Sequence, residues 1–254
     1  MSETGVQSVA EGVPGLTQWQ RVVSTFTAPS KTFEDIKRGN RSWWMPLLLF
    51  SLVGYLFFAV VATRIGIHQT VENQFHLNAK AEEGMANATP EQREKMTSFW
   101  VTFSETMFIA NPVITLGWYA LLSLGLMATI NFGFGGRAKY SSILAAWLYS
   151  LLPMMIIKPL LGSLVILGGV APESFNIKNF APTNIGAFLN PVETNAGLYA
   201  FLTSLDVLTI WSLVLLAIGV ATVAGVKRGS GYIAVFGWWA LIVLFGAGTA
   251  AIFG

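Results

Sequence analysis

Five stretches of this chain, at about 43–63, 109–132, 142–170, 204–226 and 231–253, are long and almost wholly apolar. A bilayer core near 30 Å is crossed by about 20 apolar residues in helical conformation, and each stretch meets that length. The expected fold is therefore an all-α membrane protein, a five-span helical bundle. Composition points the same way, with 54% hydrophobic and only 11% charged residues, against about 25% charged in soluble domains. A net charge of +2 offers no basic surface for nucleic acid, so no nucleic-acid partner is expected. The chain has no cysteine, which excludes disulfides, thiolate nucleophiles and cysteine zinc sites together.

Orientation follows from where Lys and Arg fall, because cytoplasmic connections retain positive charge. One set of alternate segments holds nine basic residues (Arg21, Lys31, Lys37, Arg38, Arg41, Arg137, Lys139, Lys227, Arg228) against four acidic ones. The other set holds five basic residues (Arg64, Lys80, Arg93, Lys95, Lys178) against eight acidic ones. This predicts a cytoplasmic N-terminus and an outer C-terminus, and it requires an odd number of spans.

Residues 1–15 lack a basic region followed by an apolar run, so they read as a disordered tail and not as a signal peptide. Residues 16–42 read as two cytoplasmic, interfacial amphipathic helices. Trp19, Val22, Val23 and Phe26 form a first stripe, Pro29 interrupts it, and Phe33 and Ile36 form a second. Lys31, Lys37, Arg38 and Arg41 occupy the polar side, with Trp43 and Trp44 leading into the first span. The outer connection 64–105 reads as a helical hairpin. Ile67, Val71 and Phe75 stripe one arm, and Met96, Phe99, Trp100, Phe103 and Met107 stripe the other. Its turn is expected near Gly84–Ala88, and Thr89-Pro90-Glu91-Gln92 has the pattern of a capping-box helix start. The second outer connection, 171–201, is rich in Pro, Asn and Gly and reads as an irregular cap. Pro153, Lys158 and Pro159 predict a kink or a break in the third span. Gly117, Gly125, Gly219, Gly225, Gly246 and Gly248 are expected at close helix contacts.

Two groupings could carry chemistry. His68, Glu72 and His76 stand at i, i+4 and i+8, one face of a helix, and are candidate metal ligands. Lys158, Asp206 and Asn111 are polar residues inside spans and are candidate ligand-binding residues. At 1.5 Å per residue from Ser142, Lys158 lies roughly 24 Å along its helix, in the outer third of the core, and the other two are placed at a similar level. A Lys158–Asp206 pair with Asn111 nearby would form the base of an outward-facing vestibule. The same residues suit a plainer role, with Lys158 reaching the outer headgroups and Asp206 capping the fourth helix. The turn Gly133-Phe134-Gly135-Gly136-Arg137 lacks the spacing of a phosphate-binding loop and reads as a tight reversal. No catalytic residues and no cofactor are indicated.

Three stretches resemble the prokaryotic branch of the Yip1 family: the run APSKTFEDI at 28–36 with WWMPL at 43–47, GGRAKY at 135–140 with YSLLP at 149–153, and LDVLTIW at 205–211. The resemblance implies a five-span bundle with a cytoplasmic N-terminus, placed in a bacterial inner membrane. Eukaryotic relatives act in vesicle trafficking and contact Rab-type GTPases. This chain lacks their acidic Asp-Leu-Tyr-Gly-Pro element and has Leu148 where the family has glycine. The expected function is thus non-enzymatic: membrane organisation or trafficking-type scaffolding. Its expected partners are membrane lipids, a second copy of the chain or other membrane proteins. The alternative is a transporter or lipid-handling protein using the vestibule.

Overall fold

A computed structural model describes residues 14–253. The expected tail, residues 1–15, lies outside the described residues apart from Pro14 and Gly15. Among the described residues the chain is α-helical, with α1 (Gln18–Thr27), α2 (Pro29–Lys37), α3 (Trp44–Arg64), α4 (Ile67–His76), α5 (Ala79–Asn87), α6 (Pro90–Ala128), α7 (Tyr140–Ser150), α8 (Lys158–Leu167), α9 (Ala196–Ser204), α10 (Val207–Ala224) and α11 (Arg228–Phe253). Five helical stretches are long and apolar enough to cross a membrane: Trp44–Arg64, Pro90–Gly133, Tyr140–Leu167, Val207–Ala224 and Arg228–Ile252. The all-α membrane bundle follows.

The centre of the bundle is α10, which packs on α2, α7 and α11. Leu216, Ala217 and Val220 of α10 and Ile143, Leu148 and Tyr149 of α7 are all fully enclosed. Small residues let the helices approach, as dispersion contacts in lipid demand. Gly219 lies under the Phe33 ring and Gly125 under Trp238. The other glycines expected at contacts behave differently. Gly117, Gly246 and Gly248 have no neighbour where a Cβ would stand. Gly225 instead closes α10 in the left-handed conformation, φ +71°, a helix end that favours a residue without a Cβ.

Two spans are interrupted. A π-helical turn, Pro153–Ile157, joins α7 to α8, because Pro153 and Pro159 withhold two backbone donors from the ladder. The fourth span, Val207–Ala224, is preceded across a break by a short helix, α9. Gly231 of α11 lies against Ala217 and Ala221, and Gly197 of α9 lies against Ala247 and Ala251. Helices α9 and α10 thus form one line along the 26 residues of α11, broken at Leu205 and Asp206. The irregular outer cap expected at 171–201 therefore ends in a helix, Ala196–Ser204. Its asparagines are turn-makers: Asn176, Asn184 and Asn195 accept from the backbone N–H groups of Lys178, Ala187 and Leu198.

In the outer connection, the capping box forms as its sequence pattern predicts, with Gln92 N donating to Thr89 Oγ1 and Thr89 N to Gln92 Oε1. With its π-helical end, α6 runs 44 residues, about 66 Å and twice the hydrocarbon core. The returning arm is not one helix. It breaks at Gly66, φ +88°, and again at Asn78, whose side chain caps α5. Helix α5 continues to Asn87, so the turn narrows to Ala88 and Thr89 instead of filling Gly84–Ala88. Helix α4 leans on the second outer connection, where Asn73 Nδ2 donates to the carbonyls of Pro172 and Phe175 at 2.7 and 2.9 Å.

The break at Pro29 forms, and α1 and α2 fold back on each other. The face that α1 turns inward differs from the stripe read from periodicity: Trp19 is 60% and Val23 57% exposed, while Arg21 is fully buried with Val22 and Thr25. The hairpin stands along α10, with Phe26 edge-on to Trp211 at 5.9 Å and Phe33 on Gly219. Arg21 finds its acceptors on Asn40 and Ser42, and the stripe divides: Val22 and Phe26 pack inward while Trp19 and Val23 face outward.

Candidate functional site

The broken third and fourth spans meet at one ion pair. Lys158 opens α8 just after the π-helical turn, and Asp206 opens α10 at the break. Lys158 Nζ donates to Asp206 Oδ2 at 2.8 Å, with side-chain exposures of 18% and 2%. Asp206 also caps its own helix, its Oδ1 accepting from Leu208 N at 2.9 Å and Thr209 N at 3.0 Å. The pairing and capping roles foreseen as alternatives are held at once by different oxygens of one carboxylate.

Backbone freed by the break is satisfied from the second outer connection. Val207 N donates to Thr183 O at 2.9 Å, Asn184 forms an antiparallel bridge with Asp206, and Thr183 Oγ1 donates to Asp206 Oδ2 at 2.5 Å. Unsatisfied backbone at this depth would cost several kcal/mol. Asp206 thereby accepts four hydrogen bonds, the capacity of a carboxylate. The ammonium is less fully engaged. Besides Asp206 it faces the Phe180 ring, 5.7 Å from the centroid. In the same connection Asn179 and Asn184 bond to each other, and Asn179 donates to Tyr199 Oη.

Asn111 is not part of this group. It lies on α6 beside Gly54 of α3 and accepts from Thr115 Oγ1. Helix α3 packs on both α6 and α8, so it stands between Asn111 and Lys158. Similar height along the spans did not mean the same side of the bundle.

The histidine row also separates. His68 Nδ1 lies 3.6 Å from Glu72, but His76 Nδ1 turns to Glu82 of α5 at 3.0 Å. No cluster of three His, Asp or Glu side chains able to hold a metal occurs among the described residues.

A second polar centre, not evident from the sequence, anchors the N-terminal hairpin. Arg21, fully buried, donates from Nη1 to the carbonyls of Asn40 and Ser42 and from Nη2 to Asn40 Oδ1, at 2.9, 3.1 and 3.0 Å. Its Nε lies 3.5 Å from Asp35 Oδ2, and its guanidinium sits over the Tyr149 ring at 5.2 Å. Asp35 accepts in turn from Leu16 N and Asn40 Nδ2, and Tyr149 Oη donates to Gln18. The only signal in the sequence is the spacing of Gln18, Arg21 and Thr25, which suits one polar helix face as well on a surface as in a core.

The glycine-rich reversal is held by Asn131, which accepts from Ala138 N and donates to Ala138 O. Arg137 N donates to Ala224 O, tying the turn to the end of α10.

The fold and these two centres define an integral membrane protein whose polar groups join helices. The model of the Yip1 domain matches residues 23–250, and the chain belongs to the Yip1 family. No curated protein and no solved structure matches it.

Proposed function

We propose that this Yip1-family protein has a non-enzymatic role in organising the membrane that holds it. In this reading it resides in a bacterial inner membrane, N-terminus cytoplasmic and C-terminus outside. The observation that carries the reading is the docked hairpin: Arg21 holds α1 to α2 and the linker, Tyr149 and Gly219 of the bundle receive Gln18 and Phe33, and Trp19 and Val23 face outward. Rigidly held aromatic and branched side chains on the outside of the bundle displace lipid beside it, and lipids are the partner that such a face engages. Trp19→Ala with Val23→Ala leaves the fold intact, since exposed substitutions change stability by about 0.5 kcal/mol or less. The double variant is expected to abolish the change in vesicle diameter that the wild-type protein produces on reconstitution into phosphatidylglycerol-containing vesicles. Equal diameters for both proteins, seen by electron microscopy, would refute the role.

Topology is tested separately. The chain has no cysteine, and Gly84 has open space around it. Gly136 is unsuitable for labelling, because a Cβ there would lie 2.9 Å from Ile130 O; Lys139, exposed beside it, replaces it. Gly84→Cys should react with an impermeant maleimide from outside and Lys139→Cys from inside; labelling of both from one side rejects the orientation.

A second reading, transport or lipid handling, is favoured by one feature: two interrupted helices converge on Lys158 and Asp206, the arrangement that places binding sites at helix breaks in transporters. Asn111 does not take part in it. Uptake of anionic solutes or lipid headgroups that is lost in Lys158→Ala but kept in Trp19→Ala would favour this reading over the first.

A further inference from the structure

Between α6 and α11 lies a cavity of about 270 Å³. Leu121 and Gly125 line one side, Trp238 and Ile242 the other, and Trp147 of α7 and Leu213 of α10 form the back. Trp238 closes the floor: a Cβ on Gly125 would stand 3.3 Å from its ring, and its Nε1 donates to Thr129 Oγ1 at 3.0 Å. Helix α11 packs along α9 and α10 and touches α6 only sparsely. Elsewhere α6 packs on α3 and α4.

We propose that this cleft is a binding site for one acyl chain of a bilayer lipid, which lies between α6 and α11 and packs on Trp238. Two observations name the occupant. Gly125 is 8 residues from Gly133 and Leu121 is 12, so the cleft lies roughly 12–18 Å along a span from its basic end. That is the depth at which the bilayer supplies hydrocarbon. The lining is apolar side chains, and an apolar cavity of this size stays dry and takes apolar ligands. The rim residues Leu121 and Ile242 are 60% and 48% exposed, so the chain enters sideways without any opening of the bundle. The inference does not depend on the membrane-organising role, because it requires only that these helices cross a bilayer.

The test is native mass spectrometry of the full chain released from dioleoylphosphatidylglycerol nanodiscs, with rim substitutions that fill the cleft. Wild type is expected to retain one lipid per chain. Leu121→Trp and Ile242→Trp each displace two or more methylenes and should lower occupancy by about tenfold. Leu124→Trp, on the exposed face of α6 outside the cleft, should retain the lipid. Two rim variants on different helices guard against a folding defect in either one. Wild type without retained lipid, or rim variants that retain it as Leu124→Trp does, overturns the site. Loss of a dimer in place of loss of lipid would show that a second copy fills the cleft, and would equally overturn it.

Discussion

The two buried ion pairs of this molecule are built in opposite ways. At the basic end the cation is held through its two terminal nitrogens: Arg21 donates to three acceptors on Asn40 and Ser42, its Nε lies 3.5 Å from Asp35 without a hydrogen-bond partner, and it is wholly enclosed. At the far end the anion is saturated: Asp206 accepts four bonds, while Lys158 keeps 18% exposure and one hydrogen-bonded partner. The first pair joins α1 to α2 inside the N-terminal hairpin, which meets α7 through the Tyr149 ring and its bond to Gln18. The second bridges two helix breaks and leaves its ammonium in reach of the surroundings, so any ligand chemistry at that site belongs to Lys158 and not to Asp206.

This contrast predicts an order of effects. Removing one partner of a buried pair leaves the other charge short of its compensation. Arg21→Ala leaves Asp35 with Arg38 at 3.6 Å but empties an enclosed site and frees the carbonyls of Asn40 and Ser42; it should cost about 3 kcal/mol and loosen α1 from α2, seen as proteolytic cleavage between Lys31 and Arg41 in vesicles with that side exposed. If cleavage is unchanged, Arg21 is not what holds the hairpin. Lys158→Ala should cost less, about 1–3 kcal/mol, because Asp206 keeps three of its donors. The double change with Asp206→Ala should not be additive, with a coupling of about 0.5–3 kcal/mol in detergent unfolding. Strict additivity would mean that the pair contributes nothing beyond its separate caps. The smallest effect is expected for Thr183→Val, about 1 kcal/mol for one hydrogen bond. It sharpens the comparison by removing a donor from the saturated anion without touching the ammonium. An equal loss in Lys158→Ala and Thr183→Val would show that the charge adds nothing to the bond.

What could be read in advance was whatever is local or cumulative along the chain. The Thr89 cap and the Pro29 break depend on neighbours within four residues, and both formed. The pairing of Lys158 with Asp206 was within reach, because an ionisable residue deep in a span needs an opposite charge at its level. The exclusion of Asn111 was not, because height along a helix is encoded by position while the side of the bundle depends on how helices are ordered. The stripe of α1 was legible only in half, Val22 and Phe26 packing inward, because three polar acceptors contributed by residues 40–42, some twenty positions on, bring Arg21 inward with them. No proline or glycine marks the break at Leu205 and Asp206, so it had no local signature beyond the aspartate itself.

The amino-acid sequence by itself therefore determined that the chain is helical, that it lives in a membrane, and how many helices are long and apolar enough to cross it. Lipid rewards apolar length residue by residue, and that sum needs no knowledge of the partners. The tertiary structure alone decided which polar groups are buried together, because burying an arginine or breaking a helix is tolerable only where distant segments supply the missing hydrogen bonds.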